Sequence, residues 1–146
     1  MSQITRPFDD ALQPGEVVAE VDGARAEVEV VDLDRLGVTV RRVRVTGEDI
    51  GVRRAADALP EALRALPDRL AGVEVDPRLG GAVLRSVPAD VRRHGDAREF
   101  FEARTDGASV VVERARVGQG REVVPWTLTR EQLGRIVERT AELFRR

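Results

Sequence analysis

Two alternating runs joined by Asp22-Gly23 constrain the fold of this chain more than any other feature of its sequence. The runs VVAEV and ARAEVEV place an apolar side chain at every second position, which is typical of strands with one buried face. Asp-Gly tolerates the positive φ angles of a two-residue type I′ turn, and such a turn fixes the strand register. The register pairs Val17 with Val28 and Ala19 with Ala26 on one face. The pattern therefore predicts an antiparallel hairpin.

The run LGVTVRRVRV predicts a third strand that contains a β-bulge. Its apolar positions are even at Val38 and Val40 but odd at Val43 and Val45. A strand changes phase in this way where one extra residue interrupts the alternation. We place the bulge at Arg41-Arg42.

A broken helix is predicted over residues 48–70. Thr46 to Asp49 fits a helix N-cap, and apolar residues from Val52 to Leu70 recur at steps of four and three. Pro60 and Pro67 interrupt the pattern, because each removes a backbone donor and disfavours helical geometry in the residue before it.

The end of the chain predicts a second helix with a well-marked start. Thr129 and Gln132 have the spacing of a capping box, and Leu128 and Leu133 occupy the two positions of a hydrophobic staple. One face of this helix is mainly apolar and consists of Leu133, Ile136, Val137, Thr140 and Phe144.

A second hairpin is predicted around Asp106-Gly107, after two short strands in GVEVDPRLGGAVLRSV. A two-residue turn there pairs Phe101 with Val112, Ala103 with Val110 and Glu99 with Arg114. Adjacent residues of a strand face opposite ways, so Phe100 lies on the other side, on the same face as Val111. We single out Phe100 and Val111 as interface candidates, with a covering helix as the alternative.

These elements predict an α+β fold: a two-layer sandwich whose mainly antiparallel sheet has about seven strands, in the order βββ-α-ββββ(β)-α. REVVPWTLT supplies a further strand, which Pro125 confines to an edge or a strand end. Strands that come in runs argue against a doubly wound parallel sheet. We expect a flexible N-terminal segment over residues 1–14 and a single α+β domain over residues 15–146.

Composition narrows the chemistry. The chain has no cysteine, and all 24 of its basic residues are arginine, which we interpret as GC-rich codon usage. No apolar run approaches the roughly 20 residues of a membrane span, and the first 15 residues lack the pattern of a secretory signal. We therefore expect a cytoplasmic protein that does not contact membranes. A net charge of −2 and few aromatic residues argue against nucleic-acid binding.

The densest basic cluster is a candidate anion site, and it consists of Arg41, Arg42, Arg44, Arg53 and Arg54. The alternative is a solvated strand face that pairs with Glu27 and Glu29. His94, the only histidine, either joins such a site or lies in a solvated loop. One histidine without cysteine predicts no metal site, and no motif implies a cofactor.

No set of residues amounts to a catalytic signature. We therefore expect a non-enzymatic protein-binding or assembly module, such as a small adaptor or chaperone-like protein, that binds a protein partner or itself as a homodimer. The alternative is a small enzyme or anion-binding protein that uses the arginine cluster and His94 for a phosphate or carboxylate ligand.

Overall fold

The computed structural model describes residues 5–76, 78, 80–86 and 98–145, and it confirms the α+β fold class. The described residues form three helices and nine strands. In chain order they are α1 Thr5–Asp10, β1 Gly15–Val21, β2 Ala24–Leu33, β3 Gly37–Thr46, α2 Val52–Ala62, β4 Leu70–Asp76, β5 Gly81–Ser86, β6 Arg98–Thr105, β7 Ser109–Val117, β8 Arg121–Val124, β9 Trp126–Thr129 and α3 Arg130–Leu143.

The first hairpin has the predicted turn and register. Asp22 and Gly23 have φ angles of 52° and 83°, as a type I′ turn requires. Val17 pairs with Val28. The bulge is also confirmed, because Arg42 pairs with Glu29 while Val40 pairs with the next residue of β2, which leaves Arg41 as the extra residue.

The sheet has the order β1-β2-β3-β7-β6-β5-β4, and it forks in the middle. The second half of β3 pairs with β7, but its first half pairs with β9, and the last part of β7 pairs with β8. Pro125 lies between β8 and β9, as the prediction of a strand end requires.

The register of the second hairpin differs from the prediction by two residues. Ala103, rather than Phe101, pairs with Val112, and Phe101 pairs with Arg114. The connection is longer than two residues because the Asp106 carboxylate accepts hydrogen bonds from the backbone N–H groups of Ala108 and Ser109. A shift of two residues preserves the faces of both strands, so Phe101 is fully buried as predicted.

The C-terminal helix begins as predicted. Thr129 is the N-cap of α3, and both hydrogen bonds of the capping box with Gln132 are present. The five residues of its predicted apolar face are all fully buried.

The central helix is shorter than the range 48–70. It begins after Gly51 and ends at Ala62, with Pro60 in its last turn. The preceding residues make tertiary hydrogen bonds instead of helical ones: the Glu48 N–H donates to the Phe144 carbonyl, and the Ile50 N–H donates to the Gly107 carbonyl.

Helix α1 lies in the N-terminal part of the chain, where the sequence predicted no element. Its Phe8 is 2% exposed and belongs to the hydrophobic core. Asp9 pairs with Arg130 at 3.2 Å and Asp22 with Arg145 at 2.6 Å, so acidic groups near the start of the chain meet basic groups near its end.

One hydrophobic core joins all three helices to the same face of the sheet. Buried residues of α2 and α3 pack there with the inward side chains of the strands, such as Val28, Val43 and Val112. The outward side chains of these strands lie on the other face and take no part in that core. We call this second surface the open face.

Candidate functional site

The open face carries alternating charged and apolar side chains across the sheet. Their faces follow from the strand register, because residues paired directly across strands lie on the same side. The side chains on this face include Glu16, Val18, Glu27, Glu29, Arg42, Arg44, Glu74, Val83, Arg85, Phe100, Glu102, Arg104, Val111, Glu113, Ala115 and Arg121.

The bulge in β3 adds a further arginine to this face. Val40 and Val43 are both buried in the core, at 0% and 1% exposure. The two residues between them cannot alternate normally, so Arg41 and Arg42 both lie on the open side. Arg41 pairs there with Glu29 at 3.1 Å.

Two glutamates at the centre of the open face are buried. Glu102 and Glu113 are 3% and 2% exposed, and they pair directly across β6 and β7. Two like charges in this arrangement repel each other, and each is costly to remove from water without partners. The basic groups around them must therefore offset the cost of burying these two charges.

Arginines from two neighbouring strands bind Glu113. The Arg42 Nε donates to one carboxylate oxygen at 2.8 Å, and an Arg104 terminal nitrogen donates to the other at 2.9 Å. The hydrogen bond to Glu113 raises the pKa of Arg42 above its usual value. Charge-assisted bonds of this kind also fix the orientation of the two guanidinium groups.

Glu102 is held in the same way by two other arginines. Arg85 donates to it at 3.0 Å and Arg121 at 2.6 Å, while Arg104 lies 4.0 Å away. Burial lowers the pKa of Arg85, but its hydrogen bonds and the nearby charges of Glu102 and Glu74 outweigh that effect and raise it. Arg104 therefore links the two buried carboxylates into one network.

A depression of about 490 Å³ lies beside this network. Arg44 and Arg104 line it together with Val83 and Val111. Arg44 and Arg104 are each about half exposed, at 50% and 52% of their side chains. The depression therefore presents two cationic groups next to an apolar surface, and the acidic residues Glu74 and Asp106 also line it.

The structure brings together only part of the predicted arginine cluster. Arg41, Arg42 and Arg44 share the open face, and Arg44 lies 4.0 Å from Glu27. Arg53 and Arg54 are exposed on α2, which packs on the opposite side of the sheet. The five arginines thus do not surround one ligand. His94 lies outside the described residues.

Phe100 and Val111 share the open face, as predicted, but they do not form one apolar patch. Phe100 pairs with Ala115, and Val111 pairs with Arg104. The charged pair of Glu102 and Glu113 lies between them, because the true register is two residues away from the predicted one.

Sequence reasoning missed the centre of the network for the same reason. The predicted register, with Phe101 opposite Val112, implies that Glu113 lies opposite Phe100, so it did not bring Glu113 next to Glu102. The correct register would have shown two glutamates side by side within an arginine-rich face, which signals a charge network.

No family model, curated protein or solved structure matches this chain. None of the helices in the described parts of the chain is long and apolar enough to cross a membrane. Within residues 5–76, 78, 80–86 and 98–145, no three histidine or carboxylate side chains are grouped so as to hold a metal ion.

Proposed function

We propose that this protein is a binding or assembly module that docks a protein partner on the open face of its sheet, rather than an enzyme. The main observation in support is the network in which the buried Glu102 and Glu113 hold four arginines over that face. Arginine is enriched in the cores of protein interfaces and among the residues that dominate binding energy.

The network supports binding because it orients the arginines before a partner arrives. A free arginine side chain loses rotamer freedom on binding, at a cost of about 0.5–1.5 kcal/mol. Arg42, Arg85 and Arg104 are each hydrogen-bonded to a buried carboxylate while roughly half of the side chain stays exposed. Because these arginines are already partly ordered, less of this entropy cost remains for the binding step.

Apolar groups between the arginines supply the other component of an interface. Val18 is 47% exposed, and Val83, Phe100 and Val111 are partly exposed. An apolar surface interleaved with fixed guanidinium groups suits a partner whose contact residues are apolar and acidic.

Photocrosslinking in the producing cell tests this proposal. A benzoylphenylalanine is introduced as Val111→Bpa or Val83→Bpa on the open face, and as Arg53→Bpa on the exposed side of α2 as the matched control. We expect a defined protein adduct from the open-face positions and none from position 53. Adducts that are absent from both open-face positions, or equal at position 53, would overturn the proposal.

The depression supports a second candidate, the binding of a small carboxylate or phosphate ligand between Arg44 and Arg104. Both guanidinium groups line the depression beside Val83 and Val111, and the two carboxylates that also line it, Glu74 and Asp106, already accept hydrogen bonds from Arg85 and from the β6–β7 turn. Titration calorimetry with inorganic phosphate and with a short-chain fatty acid tests it. We expect Arg104→Gln to weaken any binding and Arg54→Gln, on α2, to leave it unchanged; no heat from either probe would remove this candidate.

A further inference from the structure

Side chains of the open face have a self-complementary order across four adjacent strands. Val18 pairs with Glu27, Glu27 with Arg44, and Arg44 with Val111. The row of side chains that crosses β1, β2, β3 and β7 at this level of the sheet is therefore Val, Glu, Arg, Val. Consider two copies whose open faces contact each other about a two-fold axis that is parallel to the strands and lies midway between β2 and β3. The axis reverses this order in the second copy, so glutamate faces arginine and valine faces valine.

We infer that the partner of the open face is a second copy of this chain, bound face to face about that axis. This inference rests on the proposed function and names its partner. Glu27 faces Arg44 of the second copy, and Val18 faces Val111 of the second copy. Because the interface is isologous, each contact occurs twice.

The next level of the sheet fits the same axis. Glu29 pairs with Arg42 across β2 and β3, so each faces the opposite charge in the second copy. Glu16, which pairs with Glu29, faces Glu113. That contact is tolerated because Glu113 is buried and already neutralised by two arginines.

Of the two charged pairs that flank the axis, Glu27 with Arg44 has more capacity left for a partner. Arg44 and Glu27 are 4.0 Å apart, and their side chains are 50% and 25% exposed. The pair of Arg42 with Glu113 is much closer, at 2.8 Å, and its carboxylate is buried. Glu27 and Arg44 can therefore give up their contact with each other and pair with Arg44 and Glu27 of the second copy, whereas the buried network around Glu113 stays intact.

The size of the contact predicts weak association. Four strands about 4.8 Å apart and seven residues long give a projected footprint of roughly 450 Å². A standard interface buries about 800 Å² on each partner. We therefore expect a dimer that depends on concentration and that weakens as salt screens its glutamate–arginine contacts.

A charge swap across the axis tests the inference. Sedimentation velocity is measured over a concentration series for the wild type, Glu27→Arg, Arg44→Glu and the double variant. We expect the wild type to approach twice the chain mass of 16.1 kDa. Each single variant sets like charges against each other and raises the dimer Kd roughly tenfold or more, and the double variant restores dimerisation.

Arg53→Glu, an equal charge reversal on the exposed side of α2, is the control and should dimerise like the wild type. A wild type that stays monomeric up to roughly 0.5 mM overturns the inference, as do single variants that dimerise normally or a control that dissociates. If a single variant fails to fold, Val18→Asp at the exposed edge strand replaces it and must weaken the dimer.

The crosslinking experiment separates this inference from the proposed function. An adduct of Val111→Bpa with a second copy supports both. An adduct with a different protein overturns the second copy as partner but keeps the open face as a binding surface. The absence of any open-face adduct overturns both.

Discussion

Val112 and Glu113 are neighbours in β7 and lie on opposite faces of the sheet, yet they are buried to nearly the same degree, 1% and 2% exposed. Val112 is buried by the apolar layer that the helices form. Glu113 is buried beneath arginine side chains that bind its carboxylate. One sheet therefore removes side chains from water in two ways.

The two solutions have different energetics. Burial of Val112 is favourable by itself, at about 25 cal/mol per Å² of apolar surface. Burial of Glu113 is costly, and charge-assisted hydrogen bonds offset that cost only while both arginines remain in place. The side of the sheet on which the helices pack, the covered face, thus supplies net stability, whereas the open face supplies a fixed arrangement of charges on the protein surface.

The largest expected effect comes from placing a carboxylate on each face in turn. Phe101→Asp removes a buried ring and puts a charge into the core, where the neighbouring Arg114 is already paired with Glu99, so it should abolish folding, a loss on the order of 5 kcal/mol or more. Phe100→Asp, one residue away, should leave the protein folded. Circular dichroism melts of both variants measure this. Unfolding of both would show that the open face is covered in the folded chain.

Removing a buried carboxylate should have the next largest effect. Glu113→Ala leaves Arg42 and Arg104 without their shared partner and should lower the free energy of unfolding by about 1–3 kcal/mol, less than for a fully buried pair, because both arginines are about half exposed. The control Glu27→Ala breaks only the loose pair with Arg44, worth about 0–1 kcal/mol. Urea denaturation gives both values, and equal losses would contradict a special role for the buried network.

Loss of the N-cap of α3, on the covered face, should lower the free energy of unfolding less than loss of the Glu113 carboxylate does. Thr129→Ala removes the side chain that accepts the Gln132 N–H and should cost about 0.5–2 kcal/mol without altering the fold. Thr129→Ser keeps the acceptor and should recover most of the loss in the same denaturation assay. An unchanged midpoint for the alanine variant would mean that the cap contributes nothing.

The smallest expected effect is a pH dependence at the turn between β6 and β7. Burial raises the pKa of Asp106, but hydrogen bonds from Ala108 and Ser109 outweigh it and hold the pKa below its usual value. A carboxyl with a lowered pKa stabilises the fold above its unfolded value, about pH 4, and loses that contribution as the pH falls through the lowered value.

Asp106→Ala should therefore melt a few degrees below the wild type at pH 7, and the gap should narrow as the pH falls below about 4. Thermal melts of both proteins between pH 7 and pH 3 measure the gap. A constant difference across this range would assign the effect to the turn geometry rather than to the carboxylate charge.

The parts of the fold that the sequence predicted well are those with local causes. Asp22-Gly23 carries the backbone preference of its own turn, and the phase change around Arg41-Arg42 records the bulge. The same approach failed at Asp106-Gly107, where the same dipeptide does not close a two-residue turn. There the Asp106 carboxylate accepts hydrogen bonds from the backbone N–H groups of Ala108 and Ser109, and these bonds override the preference of the dipeptide.

The candidate site was predicted only in part. Alternation correctly separated Phe100 from Phe101, because the two faces of a strand are a local property. The juxtaposition of Glu102 with Glu113 depends on register, so an error of two residues concealed the centre of the network.

The sequence by itself determined the fold class, the first hairpin, the bulge and the capped C-terminal helix, because each depends on interactions within a few residues of the chain. Only the tertiary structure decided that Glu102 and Glu113 share four arginines, and that Arg53 and Arg54 lie in another layer from Arg42. These facts depend on contacts between strands and helices far apart in sequence. A short pattern records which side of a strand a residue occupies, but not which distant residue it meets there.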